Sequence, residues 1–502
     1  MDRIRALKQK MSKTEFRHFK TYMKAFLPRS YKRGMKMLEL IEAKPNMSQQ
    51  ELIEQLYGDT QNKSFFHLKN QVEEKMLESL CISAHQSTRN TGRGDFPGIA
   101  NIGLHFNLIT AILLRKKGLR EHSESMLAGC IDTAEELGLP EVKLLALVHA
   151  RSISVSPETV RTTYKEDINH TFQQLQSDII GIGYLDEIRV SLPQPANSEM
   201  IAQLEQYTQS LQLQLEQAYS PRAHYYHLLL QLILMEARQE PLAHCKQILK
   251  EMIEVLENHS GLKSPNRWGV PYVRLAELEN RSSHYEAAYE AASQALKILP
   301  AKKTNHLVAG INKLYACIYT GRLSEAEEVY TDLQWVHTFR PDDIHSGWLY
   351  YLHAYLAFLN GASRLALKRH ICAASLYEHK LDWNPVLRIF EIQLYIDAEK
   401  CDLAESRLEA LRKHRERYGL SPRIEEIFKC LTQLSRDAFL FSARDWEEDI
   451  HVQALIKNYP WNPLGQEVLP FEQWLLSHTL DVSPYTNWLH FLNAREIVES
   501  PS

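Results

Sequence analysis

An alanine heads each of four successive helix-like stretches in the second half of this chain, and that recurrence restricts the fold more than any other feature. In HYEAAYEAASQALKILP, Ala288, Ala292 and Ala295 stand at i, i+4 and i+7, one face of a helix, with Pro300 after the last turn. RLSEAEEVYTDLQWVHTFRP repeats the frame with Ala326, Tyr330 and Leu333 before Pro341. SRLALKRHICAASLYE gives Ala366, His370 and Ala373, and CDLAESRLEALRKHRERYG gives Ala404, Leu408 and Leu411. The leading alanines are 38, 40 and 38 residues apart. A more apolar helix precedes each stretch: VPYVRLAELEN, LVAGINKLYACIYTG, GWLYYLHAYLAFLNG and PVLRIFEIQLYIDAE. Gly321 and Gly361 fall at two of the intervening turns. A small leading residue lets two helices approach closely, so the pattern predicts a series of helical hairpins.

Composition agrees. The 502 residues hold only 19 Gly and 20 Pro, with abundant Leu, Ala, Glu and Gln, a balance that favours helix. Asn-Gly and Asp-Gly hairpin turns are missing, and few segments alternate as strands do. The fold class read from the residues is all-α. A chain this long exceeds one compact core and must divide into domains or an array.

The repeats resemble the tetratricopeptide family, most closely at Tyr285, Ala288, Ala292, Ala295 and Pro300. That family repeats about every 34 residues. The longer period here, with a degenerate first helix, implies an irregular tetratricopeptide-like α-solenoid, clearest over 268–418. Fainter hairpins lie at 103–152 and 222–258. The whole chain also resembles large bacterial helical-repeat proteins without an assigned activity, a likeness that transfers no site.

The expected organisation begins with a small basic helical domain over 1–86. Ser12–Glu15 and Ser48–Glu51 read as capping boxes, and Gly58 as a left-handed helix stop. Phe16, Phe19, Met23 and Phe26 share one face of the first of these helices, and Phe65, Leu68, Val72, Met76 and Leu80 form a stripe on a later one. A short helix, a turn and a longer helix outline a possible helix-turn-helix. Lys69 and Lys75 mingle there with Glu73, Glu74 and Glu78, which phosphates would repel. Residues 87–101 read as a linker and 102–440 as the solenoid, with a helix opening at Ser156-Pro157 and a break at Pro193–Asn197. Residues 441–502, with Trp446, Trp461, Trp474 and Trp488, read as an aromatic-rich cap on the last hairpin.

The function classes narrow by elimination. The chain has no GxxxxGK[ST], no GxGxxG after a strand, no HExxH and no GxSxG. His224 and His227 could share a helical face, but two histidines without an acid ligand make a poor metal site. The seven cysteines are scattered and include no CxxC, the usage of free thiols in a reducing compartment. No run approaches the ~18 apolar residues of a membrane span. The opening MDRIRALKQKMSKTEF is charged, so the expected compartment is the cytoplasm, with no membrane role.

The net charge of −4 conceals an asymmetry. Residues 1–36 carry twelve Lys/Arg against two acids, a surplus of ten, while the remainder carries −14. Arg17, Lys20, Lys24, Arg29, Lys32 and Arg33 are therefore candidates for binding a polyanion such as nucleic acid. Docking of this arm on the acidic remainder of the chain is the competing reading. On the first helices of the hairpins, Asn312, Lys313, Tyr351, His353 and Arg388 are candidates for lining a groove that takes a protein or peptide. The expected protein is a non-catalytic scaffold or adaptor requiring no cofactor. The alternative is a regulator whose basic domain binds nucleic acid while the solenoid senses a partner.

Overall fold

A computed structural model describes residues 2–44, 47–58, 63–90, 97–153, 158–191, 198–339, 344–377, 384–462, 467–480, 482 and 486. The fold is all-α, consistent with a helical solenoid, and no strand occurs among the described residues. No described helix is long and apolar enough to cross a membrane. The helices are α1 (Asp2–Lys10), α2 (Lys13–Phe26), α3 (Pro28–Ala43), α4 (Gln49–Tyr57), α5 (Lys63–Asn90), α6 (Pro97–Lys116), α7 (Arg120–Glu136), α8 (Pro140–Ile153) and α9 (Glu158–Ser191). Next come α10 (Ser198–Gln217), α11 (Pro221–Ala237), α12 (Leu242–Asn258), α13 (Pro265–Arg281), α14 (Tyr285–Ile298), α15 (Thr304–Tyr319), α16 (Leu323–Leu333), α17 (Trp335–Phe339) and α18 (Ile344–Leu359). The series closes with α19 (Ser363–Tyr377), α20 (Asn384–Asp397), α21 (Cys401–Tyr418), α22 (Pro422–Arg436), α23 (Ile450–Lys457) and α24 (Phe471–Thr479). Two compact units emerge: residues 1–193 with 206–227 and 256–264, and residues 194–205 with 228–255 and 265–502.

In the first unit, α1 to α5 surround their own core of Ile4, Phe19, Met23, Leu38, Phe65 and Val72. Both capping boxes form: Ser12 Oγ accepts from Glu15 N at 3.2 Å, and Ser48 Oγ from Glu51 N at 3.3 Å. Gly58 takes φ 72°, the left-handed conformation that ends α4. Phe26 departs from the expected apolar face. It sits in the last turn of α2, 61% exposed, its ring 4.4 Å from that of Tyr22. The linker read at 87–101 is helical at both ends, in α5 and α6, and 91–96 lie outside the described residues. So do Ser156-Pro157 and the break at 193–197.

The hairpins share one turn. Ser283, Gly321, Gly361 and Glu399 all have positive φ (63°, 83°, 72° and 56°), and each stands five residues before a leading alanine. At each, the next residue's N–H reaches back five positions: His284 to Glu279 O at 2.9 Å, Arg322 to Cys317 O, Ala362 to Ala357 O and Lys400 to Tyr395 O at 2.8 Å. That is a Schellman closure, which satisfies carbonyls left over at the helix end. The four alanines that follow are fully buried. Gly118 makes the same turn in the first unit, with Leu119 N bonded to Leu114 O at 3.0 Å. Five residues on, buried Ser123 takes the alanine's place and donates to Ala111 O at 2.8 Å.

In the second unit the hairpins α13–α14, α15–α16, α18–α19 and α20–α21 follow one another, with α14 packed on α15 and α19 on α20. All twelve positions of the alanine frame are buried. The aromatic-rich C-terminal segment does more than cover the last hairpin. Tyr319, at the end of α15, donates to Val468 O at 3.1 Å and meets the Trp461 ring edge-on at 5.7 Å. Trp474 Nε1 donates to Asp397 of α20 at 3.0 Å. The segment thus lies against the ends of two first helices, α15 and α20. Arg423 fastens it, with Nε 2.7 Å from Glu467 and Nη2 2.7 Å from Glu472. Trp488 lies outside the described residues.

Candidate functional site

The candidate groove residues sit on α15, α18 and α20, and most of them are occupied in packing. Tyr351 is fully buried, edge-on to Tyr355 at 5.1 Å and to Phe390 at 5.8 Å. Burial raises its phenol pKa, and the charge of Glu467 from the C-terminal segment adds to the rise. Asn312 is buried, donates to Val308 O at 3.1 Å and accepts at its own carbonyl from Asn280 at 3.0 Å. His353 stacks on Tyr330 with ring centroids 3.7 Å apart, its Nε2 3.5 Å from Glu327. Burial drives His353 down to about 4, the Arg369 and His337 charges work in the same direction, and the ring is neutral despite that carboxylate. Asn312, Tyr351 and His353 are therefore packing residues. Only Lys313, its ammonium 4.8 Å from the Tyr289 ring centre, and Arg388 keep partial exposure. The reason is tertiary: these first helices are covered by their neighbours and by the chain's own C-terminal segment.

In the first unit, comparable helices keep apolar side chains exposed. On α6, Leu104, Leu108 and Ala111 are buried, yet Ile102, Ile109 and Leu113 on the opposite side are exposed. On α8, Val142, Ala146 and Ala150 are buried, and Leu145 and Val148 exposed. Ile109 and Leu113 are 53% and 54% exposed, Leu145 and Val148 47% and 46%. The two helices are in contact, and Arg115 Nη1 donates to Ser152 Oγ at 2.6 Å where both end. Exposed Lys116, Lys117 and Arg120 lie at that end of α6. The sequence carried a signal for this face: NIGLHFNLITAILLRK is apolar on both sides, which a helix needs only when both sides are covered.

The basic candidates all reach solvent. Arg17, Lys20 and Lys24 recur at three- and four-residue spacing on α2, and Arg29, Lys32 and Arg33 cluster on α3. None of the six makes an ion pair with a described carboxylate. Lys20 lies 5.0 Å over the Phe16 ring, and Arg33 4.8 Å over that of Tyr57. By contrast Lys8 is paired with Glu42. On α5, the longer helix of the helix-turn-helix outline, Lys75 holds Glu78 at 2.8 Å, and Tyr22 donates to the same carboxylate at 2.7 Å.

His227 is buried and pushed down to about 4, chiefly by burial, while His224 bonds Tyr219 through Nδ1 at 3.2 Å. Among the described residues no three His, Cys, Asp or Glu side chains gather in a way that would hold a metal ion. No protein-family model matches this chain, and neither does any curated protein.

Proposed function

We propose that this is a non-catalytic binding protein of tetratricopeptide-like build, which takes an amphipathic helix of a partner protein on α6 and α8. The observation that carries this reading is the exposed apolar face formed by Ile102, Ile109, Leu113, Leu145 and Val148. A single exposed leucine needs no explanation, but five such residues on two touching helices do. Helix-in-groove recognition uses apolar anchors at helical spacing, the periodicity α6 itself presents. Lys116, Lys117 and Arg120 at one end favour a partner helix with acids there. The second unit offers a parallel for such covering, because its own aromatic segment lies against the ends of α15 and α20. The test is tagged purification from native cells in parallel with a Leu113→Asp/Val148→Asp variant. A partner retained by the natural protein and lost from the variant, with helical content unchanged, supports the reading. A partner retained equally by both overturns it.

A second reading rests on its own observation, the six exposed basic side chains without a described carboxylate and the exposed Phe26 between Lys24 and Arg29. Basic side chains interleaved with an aromatic suit single-stranded nucleic acid. Binding to an oligonucleotide should then weaken steeply between about 50 and 200 mM salt. Charge reversal of Lys20, Lys24, Arg29, Lys32 and Arg33 should abolish it, and binding indifferent to that reversal removes the reading.

A further inference from the structure

Where α11 begins, three segments of the first unit are joined around one buried carboxyl, that of Asp178 on α9. Ser220, the residue before α11, donates to its Oδ1 at 2.5 Å. The same Ser220 oxygen accepts from Ala223 N at 3.4 Å in the first turn of that helix. Arg222 in that turn reaches the bend between α7 and α8, where Nη2 donates to Gly138 O at 3.2 Å and Nη1 to Glu141 Oε2 at 3.4 Å. Its Nη1 stands 3.7 Å from Asp178 Oδ2. That oxygen and Arg222 Nε are both buried without a hydrogen-bond partner among the described residues. The charges that act on the carboxyl are those of Arg222 on α11 and Glu141 on α8. Other titratable neighbours are engaged elsewhere: Lys143 of α8 with Glu135 of α7 at 2.9 Å, His224 with Tyr219 at 3.2 Å, and Glu216 of α10 with Gln212 at 3.1 Å. His227, further along α11, is held neutral by burial.

We infer that Asp178 is a proton-controlled latch: as the neutral acid it fastens the first turn of α11 to α9 and the α7–α8 bend, and as the carboxylate it lets that turn open. A buried carboxylate needs several donors, and this one has a single side-chain hydrogen bond, because Arg222 is committed to Gly138 and Glu141. Losing the proton therefore leaves charge on an oxygen that water would solvate better than the protein does. Burial is the largest influence on this carboxyl and lifts it to about 6, within reach of mild acidification. The first turn of a helix opens readily, since its leading amides have no partner within the helix. The latch uses none of the exposed apolar residues of α6 and α8, so it does not depend on the partner reading.

The test is hydrogen exchange of the full chain at pH 5 and pH 7, corrected for the intrinsic exchange rate. It is read at the amides of Ala223 and His224, which bond the hydroxyl and the carbonyl of Ser220. Their protection should fall about tenfold or more from pH 5 to pH 7, the size set by a carboxyl moved from 3.8 to about 6. The amides of α2 should keep theirs. Asp178→Asn should hold one level of protection across the same range. If that variant does not fold, Glu141→Gln, at a side chain 33% exposed, gives a second readout: it removes a charge that favours the neutral acid, so the fall should shrink. Equal protection at both pH values, a matching fall throughout α2, or a fall undiminished in the folded variants would each overturn the latch.

Discussion

Asp178 is 1% exposed, and although Ser220 donates to its Oδ1 at 2.5 Å, its Oδ2 has no hydrogen-bond partner among the described residues and stands 3.7 Å from Arg222. Burial outweighs Ser220, Arg222 and the Ala223 backbone, with the Glu141 charge on its side, and lifts the carboxyl from 3.8 to about 6. The folded state thus favours the neutral acid. Below about pH 4 both states are protonated and the stability is fully present; it is lost as pH rises through about 6. The two-unit shift corresponds to on the order of 3 kcal/mol. Asp178→Asn removes the titration, so its stability relative to the natural protein should rise by up to that amount between pH 4 and pH 7. Equilibrium unfolding at the two pH values checks this, and parallel pH profiles would contradict it. Little of this was legible in the sequence, because the groups that surround Asp178 come from residues more than 30 positions away.

At the scale of the helix, the alanine frame was legible because small residues at i, i+4 and i+7 answer a local geometric need. Ala288, Ala292 and Ala295 are fully buried where α14 meets α13 and α15. Ala292→Leu should therefore overpack the crossing and cost about 1–3 kcal/mol, measurable as a lower midpoint in urea. An unchanged midpoint would mean that the alanines do not set the helix approach. The turns were half legible: Gly321 and Gly361 announce a left-handed residue, whereas Ser283 and Glu399 adopt the same conformation without a glycine to mark it. Tyr351 and His353 show the opposite limit. Their periodicity placed them on the first helices, but the segment that helps to cover those helices begins more than 80 residues later.

For the whole molecule, the all-α class and the serial hairpins followed from period and composition, while the seat of the C-terminal segment did not. Aromatic content marked 441–502 as a cap on the last hairpin, and Trp446, Trp461 and Trp474 within it are buried. Which helices receive them depends on contacts such as Tyr319 to Val468, which no local pattern encodes. The same consideration sets the functional proposal: first helices of the second unit are covered in part by their own chain, and on α6 and α8 of the first unit the proposal gives that place to a partner helix. The most direct measurement is photocrosslinking in native cells from a probe at Ile109, compared with one at exposed Glu124 on α7. The account predicts a discrete adduct with a second protein from position 109, lost with Leu113→Asp and not formed from position 124. No adduct from 109, equal adducts from both positions, or adducts made solely of this chain would contradict it.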